Sequence, residues 1–363
     1  MPKVKNMYAV ILAGGSGERF WPMSTSKRPK QFLAIPSGKP LICAAVERIE
    51  KLIPRKRIFI ITRADLVGLV RRALPDFPVA GIIGEPCGRD TAAAIALGAG
   101  LVKSRNPRGA FCVLTSDHVI EKRGVFLETL KDSFATALSS DYMVTIGIKP
   151  AFPSTGFGYI ETAQKLGPAG RTGFFKVKGF VEKPDLPTAQ KYLKTGRFYW
   201  NSGMFIWSVP VLEAALAKYR PQLLPLIRAV GNAAGRKSFG RTLRDEYAKL
   251  EKISIDYAVM EKADNILMAK CGFAWDDVGS WLALENHCRK NKDGNIFLGR
   301  GETLAANGNI AVAEDGLIAL VGVRDLVVVR SGAVTLVCAK DRVQEIKRLV
   351  ARMKQNGAYK DVI

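Results

Sequence analysis

The sequence predicts a three-layer α/β domain built on a parallel sheet, followed by a small C-terminal β domain. Between residues 8 and 150, short apolar runs alternate with helical patterns, the rhythm of strands connected by crossover helices. After residue 286 that rhythm gives way to short β segments bounded by glycines. With 363 residues and 48% hydrophobic content, the chain is long and apolar enough to bury one large core and a smaller one.

The first strand falls at residues 8–12, whose unbroken apolar run suits a strand covered on both faces. Further strands are expected at 58–62, 81–85, 111–116 and 143–148, and helices at 41–52, 65–74, 91–103 and 125–138. In such sheets ligands gather at the carboxyl ends of the strands, where the glycine loop 13–17 and the run Thr115, Ser116, Asp117, His118 both fall. From residue 152 to about 286, glycine and aromatic residues interrupt the rhythm at 156–159, 180–184 and 199–207. That pattern predicts an insertion covering the ligand edge of the sheet. Beyond it, β segments are expected at 309–313, 317–321, 326–329 and 334–338, then a helix at 342–353. The expected division is therefore a domain over 1–290, with a nucleotide half to about 150, and a β domain over 291–363.

Composition narrows the function classes. The net charge of +22 comes from 55 Lys and Arg against 33 Asp and Glu, but the basic residues are dispersed and lack interleaved aromatics. This fits a surface that attracts anionic metabolites and binds no specific nucleic acid. Only two histidines occur and the six cysteines form no CxxC pair, so free thiols are expected and carboxylates must carry any metal. No apolar run approaches the roughly 20 residues needed to span a bilayer, and the N-terminus lacks a leader pattern. A cytoplasmic protein without a membrane partner is the expectation.

The segment 10–32, VILAGGSGERFWPMSTSKRPKQF, carries the strongest chemical signal. Gly14, Gly15 and Gly17 let backbone approach a ligand and let N–H groups converge on an anion, while Arg19, Lys27, Arg28 and Lys30 supply positive charge. The spacing fits neither the dinucleotide fingerprint, which needs a third glycine, nor the P-loop, which needs Gly-Lys-Ser/Thr. Asp117 and Asp277 are candidate ligands for a hard cation such as Mg²⁺, which takes one or two carboxylates plus substrate phosphates; each also fits a cap or a turn. In 84–91, GEPCGRDT, backbone N–H groups and side chains precede a helix and can read an anion or a polar ring. Glu182 and Lys183 pair a carboxylate with an ammonium, and Asn201 sets an amide beside Gly203 in a segment that also suits a bulged core strand.

The order of segments LAGGSGERFWP, PKQF, EPCGRDTAAAIA, SDH, GYI, FVEKP, WNSGMF and WDDVGSW resembles the mannose-1-phosphate guanylyltransferases, or GDP-mannose pyrophosphorylases, of the sugar-nucleotide pyrophosphorylase superfamily. The resemblance covers almost the whole chain. It implies a Rossmann-like nucleotidyltransferase domain with a mostly parallel mixed sheet, Mg²⁺ as cofactor, GTP and mannose 1-phosphate as substrates, and a homodimer. It also implies roles: Arg19 on the β and γ phosphates, Lys30 on the reacting α-phosphate, and Asp117 and Asp277 on the metal. Leu12, Ala13, Gly14 and Gly15, with Gly17 in the same loop, would hold the nucleotide. Glu85, Pro86, Arg89, Asp90 and Thr91 would complete the base site. Gly158, Glu182 and Asn201 would contact mannose, with Lys183 beside the sugar phosphate. Asp90 departs from the asparagine that the resemblance expects, and a carboxylate cannot donate the hydrogen bonds of an amide. A nucleotidyltransferase for another sugar phosphate or NTP, and a catalytically silent sugar-nucleotide-binding subunit, are the competing readings.

Overall fold

The computed structural model describes residues 4–363, and the chain divides into two compact units. The first comprises the residues up to 14 with 45–116 and 120–275; the second comprises 15–44, 117–119 and 276–363.

The first unit is an α/β sandwich around a nine-stranded sheet. The strands are β1 (Met7–Ala13), β2 (Ile58–Arg63), β3 (Ile82–Glu85), β4 (Ala110–Thr115), the two-residue β5 (Val119–Ile120), which lies outside the large sheet, and β6 (Met143–Ile148). They alternate with α1 (Leu41–Ile49), α2 (Val67–Ala73), α3 (Asp90–Arg105) and α4 (Arg123–Ser139). The predicted helix 65–74 forms as a 3₁₀ turn, Ala64–Leu66, running into α2. Strands β1 to β4 pair in parallel in the order β3-β2-β1-β4, so their carboxyl ends share one edge.

The interrupted region supplies β7 (Tyr159–Ala169), β8 (Thr172–Val181), α5 (Leu186–Thr195), β9 (Phe198–Ser208), α6 (Val209–Tyr219), α7 (Leu224–Ala233), α8 (Phe239–Tyr247) and β10 (Ile266–Lys270). The expectation that it covers the ligand edge is corrected by the topology. β9 lies in the middle of the sheet, antiparallel to both β4 and β6, and the full order ends β4-β9-β6-β10-β8-β7. The physical reason is the run Met204, Phe205, Ile206, Trp207, buried on both faces, which only an interior strand accommodates. Its pairing with β6 shifts register between Thr145 and Gly147, the bulge that the segment around Asn201 suggested.

Helix α3 is buried from Ala92 to Val102, which explains its alanine-glycine composition. A methyl group at Gly98 would lie 2.8 Å from Val10 of β1, and one at Gly100 would lie 2.7 Å from Val230 of α7. Small residues therefore let one helix lie between sheet and helix at close range.

In the second unit, following the short β11 (Trp275–Asp276) and α9 (Leu284–His287), six strands form a coil-like β domain: β12 (Ile296–Leu298), β13 (Gly301–Leu304), β14 (Ile310–Ala313), β15 (Ile318–Val321), β16 (Leu326–Ser331) and β17 (Val334–Ala339). β12, β14 and β16 pair in parallel and β17 closes antiparallel, while β13 pairs with β15. The buried Asn295 and Asn309 hold successive turns: Asn309 Nδ2 donates to Asn295 Oδ1 at 2.9 Å, and Asn309 Oδ1 accepts from the Leu326 N–H at 2.9 Å. The β domain is followed by a 3₁₀ segment, Lys340–Glu345, by α10 (Ile346–Lys354) and by a 3₁₀ turn, Gly357–Tyr359. Phe20, Trp21, Leu33 and Ile35 of the N-terminal segment share one core with Val278, Trp281, Ile310, Val329 and Ile346.

Candidate active site

The predicted site residues fall into two sets, one in each unit. In the second unit the glycine loop leads to Gly17, whose φ of +62° is a left-handed conformation that suits glycine. A methyl group there would also lie 2.3 Å from Lys30 Cβ, so the glycine is what lets Lys30 pack against the loop. Lys30 begins a short 3₁₀ turn after Pro29. Its ammonium lies 3.0 Å from Asp117 Oδ2 and donates to the main-chain oxygen of Asp277 at 2.6 Å. Arg19, in the 3₁₀ turn that follows Gly17, donates from Nη1 to the Gly279 carbonyl at 3.5 Å, and its Nε is buried without an acceptor.

The electrostatics follow from this packing. Burial opposes charge on Asp117, but Lys30, helped by His118, outweighs it and holds the carboxyl below its ordinary range. Burial pushes Asp277 up to about 6; Asp276 and Asp117 add to the rise, against Lys30 and Arg19. Among the described residues no group of three or more His, Cys, Asp or Glu is arranged to hold a metal ion. Two carboxylates with substrate phosphate oxygens are nevertheless a donor set that suits a hard cation, and a cation would favour the charged form of Asp277 that burial, with Asp276 and Asp117, disfavours. The residues therefore fit the metal.

The structure also separates the two adjacent aspartates. Asp276 is the turn residue: its carboxylate accepts from Val278 N–H at 2.7 Å and Asn286 Nδ2 at 2.9 Å, and lies 3.1 Å from His287 Nε2. Val278 then adopts φ +47°, strained for a β-branched residue, with its side chain fully buried. This arrangement leaves Asp277 as the member of the pair beside Lys30. Of the other cations in the loop, Arg28 is committed to an ion pair with Glu314, and Lys27 is exposed.

In the first unit, Leu12 and Ala13 end β1, and Glu85 ends β3 on the same edge of the sheet. Glu85 Oε2 lies 3.6 Å from where a Gly14 methyl would stand, and Oε1 accepts the hydroxyl of Tyr247. Burial, with Asp90 adding, raises the Glu85 pKa despite that hydrogen bond. Pro86 is half-buried beside it. Arg89 Nη2 donates to the Ala248 carbonyl at 3.0 Å, while its Nε is buried without a partner. Asp90 has φ +65° and accepts the Thr91 N–H at 2.7 Å; Thr91 Oγ1 in turn accepts the Ile255 N–H at 2.9 Å. Arg89, not Asp90, is the N-cap of α3, and no side chain caps it; an aspartate tolerates the left-handed backbone at position 90.

The sugar-segment residues converge in the same unit. A methyl group on Gly158 would lie 2.3 Å from Glu182 Oε2, so the glycine makes room for that carboxylate. Glu182 pairs with Lys183 at 2.8 Å, and Lys183 takes φ +48°. Asn201 receives support from three sides. Its N–H donates to the Gly158 carbonyl at 2.8 Å, its Oδ1 accepts the Gly203 N–H at 3.1 Å, and its Nδ2 donates to Asp256 Oδ1 at 2.8 Å. Phe152 and Phe157 pack edge-on against Trp200 with centroids 4.8 and 5.0 Å away. Sequence reasoning missed Tyr247 and Asp256, because neither lies in a glycine-marked motif. The remaining signal is a five-residue π turn, Asp256–Met260, of the kind common at functional sites.

Comparison with known proteins shows the family. The family model for nucleotidyl transferases matches residues 8–293, and the one for the mannose-phosphate isomerase/GMP-like β-helix domain matches 300–353. The chain is 35% identical to mannose-1-phosphate guanylyltransferase 2 of Escherichia coli O157:H7, over 95% of this chain and 73% of that protein. It is likewise 35% identical to the mannose-1-phosphate guanylyltransferase of Salmonella montevideo, over 97% and 75%. A crystal structure from Thermus thermophilus, described as a mannose-1-phosphate geranyltransferase, superposes with TM-score 0.86 at 34% identity, covering 96% of this chain and 99% of that one. A crystal structure from Helicobacter pylori, described as a mannose-6-phosphate isomerase, superposes with TM-score 0.60 at 26% identity over 75% of this chain and 99% of that one. With a nucleotidyl transferase model spanning most of the chain and guanylyltransferase relatives at this identity, the chain belongs to the nucleotidyl transferase family, with the mannose-1-phosphate guanylyltransferases as its relatives.

Proposed function

We propose that this protein is a mannose-1-phosphate guanylyltransferase. A phosphate oxygen of mannose 1-phosphate attacks the α-phosphorus of GTP, the bond from that phosphorus to the bridging oxygen breaks, and GDP-mannose and pyrophosphate form. Charge develops on the α-phosphoryl oxygens and the departing pyrophosphate, so positioned cations are the needed catalyst. The reading is carried by Lys30. An ammonium buried beside Gly17 and fixed by Asp117 and the Asp277 carbonyl is a preorganised charge of that kind.

In this reading Lys30 stabilises the α-phosphoryl charge, and Arg19 binds the β and γ phosphates through a guanidinium whose Nε still lacks an acceptor. Members of the family generally use a divalent metal; Asp117 and Asp277 are the residues that would hold Mg²⁺, which when bound neutralises triphosphate charge. Leu12, Ala13, Gly14, Gly15 and Gly17 line the nucleotide, and Glu85, Pro86, Arg89, Asp90 and Thr91 serve the base. Gly158, Glu182 and Asn201 hold the mannose hydroxyls, with Lys183 at the sugar phosphate. The catalytic portion is assigned to 1–290 and the β domain to 291–363, a division supported by one family match ending at 293 and the next beginning at 300, although the second compact unit also takes in 15–44, 117–119 and 276–290. A homodimer and a cytoplasmic setting belong to the same proposal. The helices of the described residues include none long and apolar enough to cross a membrane.

The test is a substrate matrix: pyrophosphate release with Mg²⁺, each NTP and each of several sugar 1-phosphates. Release with GTP and mannose 1-phosphate that exceeds every other pair and stops on chelation is expected. Equal rates with other NTPs or sugars, or undiminished rates under chelation, would defeat the assignment to guanine, mannose or metal respectively.

A further inference from the structure

We infer that Asp256 is a positioning residue for sugar recognition, acting through the Asn201 amide. The inference rests on the assignment of Asn201 to the sugar site.

The hydrogen bonds leave Asn201 one orientation. The Gly203 N–H can only donate, so the amide oxygen must face it, and the amide nitrogen must then face Asp256. Asp256 Oδ1 accepts at 2.8 Å, and a side chain without an acceptor there would release the amide to rotate. With both ends of the amide engaged, one N–H and one oxygen lone pair remain for a ligand in a fixed direction. That pairing matches a sugar hydroxyl, which donates and accepts at once.

Asp256 itself is held in place. It opens the π turn, and the preceding residue, Ile255, donates its N–H to Thr91 Oγ1 at 2.9 Å. Ile253 reaches the Arg89 carbonyl at 3.3 Å, and Ala92 reaches the Ile253 carbonyl at 3.2 Å. One short segment, 253–256, thus ties the start of α3 to the amide of Asn201. Burial and the nearby Glu182 push Asp256 up to about 6, against the Asn201 hydrogen bond and Lys183. Holding a second carboxylate near Glu182 is costly, and hydroxyl donors of a bound sugar would offset that cost.

The experiment is steady-state kinetics of Asp256→Ala, Asp256→Asn and Asn201→Ala with both substrates varied. Asp256→Ala should raise KM for mannose 1-phosphate about tenfold or more, the loss expected for a hydrogen bond to a charged group, with KM for GTP unchanged. Asp256→Asn should restore most of that loss, because its amide oxygen can accept the same bond. A mannose 1-phosphate KM within about twofold of wild type in Asp256→Ala would overturn the inference. So would equal rises in both KM values, or an Asn variant as impaired as the Ala variant. If Asn201→Ala leaves the sugar KM unchanged, the sugar-site assignment itself fails; if only Asp256→Ala is silent, the inference alone does.

Discussion

Lys30 is only 6% exposed, and that burial decides what its charge can do. A solvated lysine is screened and mobile, whereas this one is fixed between the Asp117 carboxylate and the Asp277 carbonyl. Removing it removes a preorganised cation and takes from Asp117 its ion-pair partner. Lys30→Ala and Asp117→Ala are each expected to lower turnover on the order of 100-fold. Arg28→Ala serves as the control, since its guanidinium is already paired with Glu314, and its turnover should stay near wild type. Near-normal turnover of either test variant would take that residue out of its role. The residue types at this centre were legible in the sequence, because a glycine loop with following cations is a local pattern. The sequence reading named Asp277 as the candidate ligand; what it did not show is that Asn286 and His287 close on the neighbouring Asp276.

At the scale of elements, α3 shows how composition and packing agree. The run AAAIALGAG gives a helix no polar face, and the structure buries it between β1 and α7. Gly100 packs closely against α7: a methyl group added there would meet the Ile227 carbonyl at 2.9 Å as well as Val230 at 2.7 Å. Gly100→Leu should therefore cost about 1–3 kcal/mol through overpacking. Thermal unfolding checks it: a midpoint lowered by several degrees is expected, and an unchanged midpoint would mean that the glycine does not set the α3–α7 approach. β9 shows the opposite case. Its aromatic run reads equally as a cover or as a strand, and only hydrogen bonding to β4 and β6 places it inside the sheet.

For the whole molecule, the net charge of +22 is the property that most invites a wrong functional class. Much of it is spread over surface residues, so its effect on polyanions is long-ranged and screened. A titration with duplex DNA is expected to show weak association at physiological salt that falls steeply as salt rises; tight binding persisting at that salt would reinstate a nucleic-acid partner. The sequence by itself determined the alternation of strands and helices up to residue 150, the β segments after residue 286 and the glycine loop with its cations, since periodicity, turn chemistry and glycine placement act over a few residues; the reaction type came from the family resemblance. Tertiary structure alone decided that β9 is central, that Lys30 meets Asp277 from 247 residues away, and that Asp256 holds Asn201 from 55 residues away. Those are choices of hydrogen-bond and ion-pair partner, which exist only once the folded chain has brought distant groups within bonding distance and removed the water that would otherwise satisfy them.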